Sequence, residues 1–268
     1  MNSSLSTSLV TVERHSPAVA VVTLQRQDKL NALNDALVEA LAETADELRA
    51  DARVKAVVLT GGPRMFSAGA DVSTFDAIGR ESDVNQVRRM VQRGTRMVEA
   101  WESLPALTIA AVEGGAVGGG FGLALACDWR VFARDAWAYV PEVRLGLNYG
   151  WGTLPRLTAL AGPGRAKWIS VLCRRHPAQE LADWGIAEHV AEPGEALAAA
   201  IALAGEVAAL PGLAAQFIKQ DVNAYATALA RTASHGDMDH MLVCMTDEEG
   251  RQARERVAAS VGSRRNAP

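Results

Sequence analysis

A chain of 268 residues, 49% of them hydrophobic and 22% charged, carries enough apolar material for one large core; its length fits a single α/β domain with a helical appendage. The formal net charge of −4 argues against a nucleic-acid partner, which needs a basic face, and gives no pull toward an anionic membrane surface. The three cysteines, Cys127, Cys173 and Cys244, form no CxxC pair, which excludes a zinc ribbon or redox dithiol and fits reduced thiols in a cytosolic protein.

Residues 1–10 are polar, with neither a basic start nor an apolar run, so no cleaved signal is expected. No apolar stretch reaches the ~20 residues of a spanning helix. A soluble, cytoplasmic protein is the expectation. The run Val19–Leu24 (VAVVTL) reads as a buried strand, and a polar loop over 25–31 leads to a helix capped by Asn34, with Leu37, Leu41 and Leu48 at helical spacing. Val54–Thr60 predicts a second buried strand. A helical stretch running through Val98 and Trp101 precedes a third strand, Leu107–Val112. A glycine-rich turn then opens a helix over Phe121–Cys127, and Arg130–Ala133 reads as a short fourth strand. Strands alternating with helices imply a parallel or mixed sheet. Beyond Pro163 helices dominate, over about 164–175, 178–185, 195–209 and 212–232, with a last charged helix from Asp247. The expected division is therefore an α/β core over 1–195 and a helical region over 196–268.

Two segments carry chemistry. Phe66-Ser67-Ala68-Gly69-Ala70-Asp71 is built from small residues that let a backbone approach a ligand closely. Alone, it says no more than a tight strand-to-helix loop. Gly114-Gly115-Ala116-Val117-Gly118-Gly119-Gly120-Phe121-Gly122 follows a buried strand and opens an apolar helix, exposing amide N–H groups at the positive end of the helix dipole. Such a site suits a phosphate or a developing enolate oxygen. A dinucleotide fingerprint would come earlier in the chain and bring an acidic ribose partner; a P-loop would continue into Lys-Ser/Thr. Close helix-on-strand packing explains one or two of these glycines, not all. No Gly-x-Ser-x-Gly elbow offers a serine nucleophile.

In combination and in this order, Lys29–Leu33 (KLNAL), Phe66–Asp71, Ala111–Asp128, Pro141–Gly146 (PEVRLG) and Ala182–Ala187 resemble the crotonase, or enoyl-CoA hydratase/isomerase, superfamily over most of the chain. The resemblance implies a crotonase spiral of repeated ββα units, followed by a helical C-terminal trimerisation region. It also implies a homotrimer or dimer of trimers and an acyl-CoA substrate, with coenzyme A entering only as part of that substrate and no metal or redox cofactor. By resemblance, the backbone N–H groups of Ala70 and Gly119 are the two oxyanion-hole donors. By the same resemblance, Ala68 and its neighbours form the backbone clamp on the adenine end of CoA, Gly69, Asp71 and Gly118 are counted among the substrate-binding residues, and Lys29 and Leu30 meet the pantetheine and phosphate portions.

One departure sets the expected chemistry. Hydratases of this family carry two glutamates, and here the first position is Gly122 while the second is Glu142. A single carboxylate can move one proton between two carbons but is less able to position water as well. Double-bond isomerisation with Glu142 as acid/base is therefore the leading expectation. Hydration of a 2-enoyl-CoA comes second, and Gly122 keeps a catalytically weakened CoA-ester-binding subunit in view. As a base, Glu142 needs an apolar setting that raises its pKa. Tyr139, Tyr149 and Trp151 flank it and are candidates for lining a pocket for a bulky or cyclic acyl group. His235 and Asp239 would share a helix face, but no further ligand pair of familiar spacing supports a metal. Lining the pocket or an interface is the expected role for His235 or Asp239; no role is read for His240, which ends the cluster. His15, His176 and His189 are assigned to surface or loop positions.

Overall fold

The computed structural model describes residues 5–7, 9–71, 74, 78, 83–234 and 236–265. The large sheet is built from strands whose continuous apolar runs are buried on both faces, the pattern of a covered parallel sheet. These are β3 (Val19–Leu24), β4 (Ala56–Thr60) and β5 (Leu107–Val112), and the sheet continues through β7 (Trp129–Ala133), which carries the buried Arg130, and β10 (His189–Ala191), whose His189 is exposed. They pair in parallel in that order. Two strands not foreseen from the sequence, β1 (Leu5–Thr7) and β2 (Val10–Ser16), extend the β3 edge antiparallel. Val10 and Val12 face the core while Glu13 is exposed, and that alternation marks a strand with one covered face.

A second, three-stranded sheet is formed by β6 (Gly115–Val117), β8 (Trp137–Tyr139) and β9 (Arg175–Pro177). The chain thus alternates between layers. It leaves β5 for β6 before α3 (Gly119–Ala126), then β7 for β8 before the next helix. This is the repeated ββα spiral expected from the sequence. Earlier turns contribute isolated bridges, Leu33 with Ala70 and Ser67 with Ala116, in place of full strands.

Around the sheets lie α1 (Asp35–Ala50), α2 (Val84–Glu102), α4 (Thr153–Leu172), α5 (Ala178–Asp183) and α6 (Ala196–Ala209). They are followed by α7 (Gly212–Ala226), α8 (Ala230–Ser234), α9 (Asp237–Thr246) and α10 (Glu248–Arg265). Asn34 caps α1 as expected, its side chain accepting from the Leu37 N–H. Helix α4 begins about eleven residues before the predicted helix and is kinked at Gly162, beside Pro163. Helix α6 covers the sheet, its Ala196, Ala200, Ala204 and Val207 belonging to the main core. No single helix among the described residues is long and apolar enough to cross a membrane.

Buried charges tie the helical end to the sheet. Lys219 of α7 reaches Asp128 at 2.7 Å and the Ala106 carbonyl at 2.9 Å, while Asp128 accepts from the Thr108 N–H and hydroxyl. Arg130 is 1% exposed and pairs with Glu188. His176 corrects the surface assignment made from sequence. It is buried in β9, its Nδ1 bonded to Glu180 at 2.9 Å and its ring against Trp184.

Candidate active site

The 66–71 loop is held by Asn31, a buried residue in the left-handed region whose amide donates to the carbonyls of Gly61, Met65 and Phe66. Three backbone carbonyls converging on one amide leave the loop little freedom. It is then stitched to the glycine-rich turn, the Ser67 N–H donating to the Gly115 carbonyl and the Val117 N–H to the Ser67 carbonyl. A β-carbon on Gly69 would stand 2.7 Å from the Val117 carbonyl oxygen and 3.6 Å from the Gly119 nitrogen, so the two segments touch through backbone.

Helix α3 begins at Gly119, two residues earlier than read from the sequence. The shift matters because Gly119 becomes the first helical residue, whose N–H has no partner within the helix. Its N-cap, Gly118, has φ 48° and ψ −122°, a conformation that strongly favours glycine. Neither the Gly119 N–H nor the Ala70 N–H donates to a protein acceptor among the described residues. Both residues line one cavity, together with Glu142.

Glu142 opens a short 3-10 turn that ends at Gly146. Its Oε2 is buried with no hydrogen-bond partner, and a β-carbon on Gly118 would lie 2.6 Å from its Oε1. Burial pushes this carboxyl up to about 8, opposed only by a hydrogen bond with its own backbone. The hydroxyl of Tyr149, buried beside it, donates to the Gly118 carbonyl at 2.9 Å and so steadies the glycine turn. Burial, and secondarily the nearby Glu142, raises that phenol well above its usual value. The Trp151 indole lies flush against Gly94 of α2 and Gly119 of α3, positions where a β-carbon would collide with the ring. Tyr149 and Trp151 line the cavity, while Tyr139, in β8, does not.

The remaining residues singled out in the sequence divide between the cavity and its surroundings. Ala68 joins the loops by donating to the Leu30 carbonyl at 2.9 Å. Leu30, in the left-handed region, and Lys29 are exposed beside it. The Asp71 carboxylate is paired with Arg26 at 2.6 Å, and that guanidinium also donates to the Ala32 carbonyl. At Gly122 a β-carbon would stand 2.8 Å from the Thr153 hydroxyl, so that side chain fills the space next to Gly122. His235 lies outside the described residues. Asp239 and His240 are exposed, and Asp239 faces Arg88 across 3.9 Å. From this segment it is Asp237 and Met241 that line the cavity. Asp237 was missed because only its approach to the distant Gly152 gives it a role.

The C-terminal helix closes the site. Gly250 of α10 packs directly on Gly146, and Arg254 donates to the carbonyls of Leu145 and Met245. The turn that carries Glu142 is therefore clamped from outside.

Two loops pinned backbone to backbone, two undonated amides and a buried lone carboxyl form an arrangement that can accept negative charge on an oxygen and exchange a proton nearby. The chain belongs to the enoyl-CoA hydratase/isomerase family of enzymes, whose profile it matches over residues 14–260. It is similar to the short-chain-enoyl-CoA hydratase of Clostridium acetobutylicum, 35% identical over 206 residues that cover 76% of this chain and 77% of that protein. It also resembles the crotonyl-CoA hydratase of Syntrophomonas wolfei, 33% identical over 207 residues that cover 76% and 78% of the two chains. The crystal structure of an enoyl-CoA hydratase from Mycobacterium avium subsp. paratuberculosis superposes with a TM-score of 0.84 at 25% identity, covering 95% of this chain and 97% of that one.

Proposed function

We propose that the protein isomerises the double bond of an enoyl-CoA, with Glu142 as the single acid/base and the Ala70 and Gly119 amides as the oxyanion hole. Ionised Glu142 removes a proton from C2 of a 3-enoyl thioester. Charge then moves to the thioester oxygen, where the two N–H groups stabilise it. The proton returns from Glu142 to C4, and the double bond comes to rest between C2 and C3 in conjugation with the carbonyl. Deleting one such donor elsewhere costs about 2.7–4 kcal/mol, which sets the scale of what each amide contributes. Coenzyme A enters only as part of the substrate, and the reading needs no metal or redox cofactor.

The observation that carries this reading is the lone buried carboxyl of Glu142. The position where hydratases of the family hold their other glutamate is Gly122, and Thr153 fills the space beside it. A second reading, hydration of a 2-enoyl-CoA, is favoured by the names of the two curated relatives, both hydratases. An absorbance assay with 3-enoyl- and 2-enoyl-CoA side by side separates them. Gain of the conjugated-thioester band from the 3-enoyl ester alone supports isomerisation, and loss of the band from the 2-enoyl ester supports hydration. Silence on both esters would favour a weakened binding subunit. A cytoplasmic trimer or dimer of trimers is the assembly the family resemblance suggests. The exposed Leu213, Phe217, Ile218 and Val222 of α7 supply an apolar face for it; light scattering of the purified protein tests this.

A further inference from the structure

The cavity beside Glu142 is walled chiefly by Ile78, Met90, Val91, Leu147, Trp151 and Met241, a lining suited to hydrocarbon. One part of the wall breaks that pattern. Asp237, the first residue of α9, is only 8% exposed, and its Oδ2 accepts from the Gly152 N–H at 3.0 Å. Its carboxyl is pushed up by burial, against the pull of that N–H and of His240 and Arg156. Its Oδ1 takes no hydrogen bond among the described residues.

Asn148 stands next to it on the same cavity. The Asn148 amide nitrogen donates to the backbone carbonyl of Asp237 at 3.0 Å. Because a carbonyl can only accept, that bond fixes which way round the amide sits. The Asn148 Oδ1 is left buried with no partner. Buried acceptors are nearly always satisfied, and each exception calls for a reason. Among the described residues, neither Asn148 nor Asp237 is hydrogen-bonded to Glu142, Ala70 or Gly119. A pure hydrocarbon chain in this cavity would leave both acceptors unpaired, whereas a hydroxyl on the acyl group would donate to one of them.

We propose that Asn148 and Asp237 form a polar subsite for a hydroxyl group on the acyl chain, so that the substrate class is hydroxylated acyl-CoA esters rather than plain fatty ones. The inference rests on the acyl-CoA reading above and extends it to the polar part of the cavity wall. The two residues select and position substrate, and Glu142 keeps the proton transfer.

The test is calorimetric binding of thioether analogues of acyl-CoA, in which a methylene between sulfur and carbonyl prevents turnover. Six-carbon chains without a hydroxyl, or with one at C4, C5 or C6, are compared on the whole protein. The expected result is that at least one hydroxylated analogue binds about tenfold tighter than its parent, the scale of one well-placed hydrogen bond to a buried group. Asn148→Ala and Asp237→Ala should each erase most of that preference while holding the parent's affinity within about threefold. Equal or tighter binding of the parent by the unmodified protein would overturn the inference, and that comparison needs no variant to fold. So would a preference that survives in both folded variants. Binding by none of the four analogues would bring down the acyl-CoA reading as well, which separates the two failures.

Discussion

Replacing Glu142 by Gln tests the central feature of the site through stability as well as activity. The Glu142 carboxyl sits at about 8 in the folded protein against an ordinary value of 4.5, because burial penalises its charged form. A raised folded-state pKa means that the native protein binds the proton more tightly than the unfolded chain. Stability from this group is therefore complete below about pH 4.5 and is lost as pH rises toward 8. Each unit of pH well inside that window costs about 1.4 kcal/mol and less near its ends, so the unmodified protein should lose roughly 3–4 kcal/mol between pH 5 and pH 8 through Glu142 alone. Glutamine is isosteric and cannot ionise. Glu142→Gln should thus gain on the unmodified protein by that amount over the same interval, while losing isomerase turnover at every pH. The assay is denaturant unfolding of both proteins at several pH values and one fixed protein concentration, which also holds any association constant. Parallel stability curves from pH 5 to pH 8 would refute the claim that an unpartnered buried carboxyl stands at position 142.

Three further outcomes follow from the same geometry. Isomerisation should be faster as pH rises toward and through about 8 because the base must be ionised, and a kcat/KM profile flat from pH 6 to pH 9 would argue against Glu142 as the base. Gly118→Ala should cost about 1–3 kcal/mol from backbone strain, since its φ is 48°, and should also push Glu142 aside; thermal unfolding reads the first effect and turnover the second. Gly122→Glu should not create a hydratase. Thr153 fills the space beside it, so the substitution should lower stability by about 1–3 kcal/mol, as overpacking does, and leave 2-enoyl-CoA untouched in the absorbance assay.

The sequence disclosed most where a local pattern had one physical cause. The strands Val19–Leu24 and Leu107–Val112 stand where their continuous apolar runs put them, because covered parallel strands have no polar face to alternate. The strand Val10–Ser16 went unread, since a single buried face leaves only short alternation among polar residues. At the site, the small-residue segment and the glycine turn were legible because close backbone contact demands residues of that size. Asp237 and Asn148 were not. The sequence drew attention to their neighbours, Tyr149 beside Asn148 and His235 and Asp239 around Asp237, but their own meaning comes from a contact across 89 positions that leaves one amide oxygen stranded. His176 was misjudged for the same reason, its burial depending on a strand only three residues long.

The packing of Gly250 on Gly146 has a consequence for how the enzyme comes into being. The surroundings of Glu142 are finished by a helix that is made more than a hundred residues after it, and Arg254 reaches back across 109 positions to the same turn. A chain still emerging during synthesis, or one clipped before Gly250, lacks both contacts, so the turn that carries Glu142 gains its last support only when the C-terminal helix has been made.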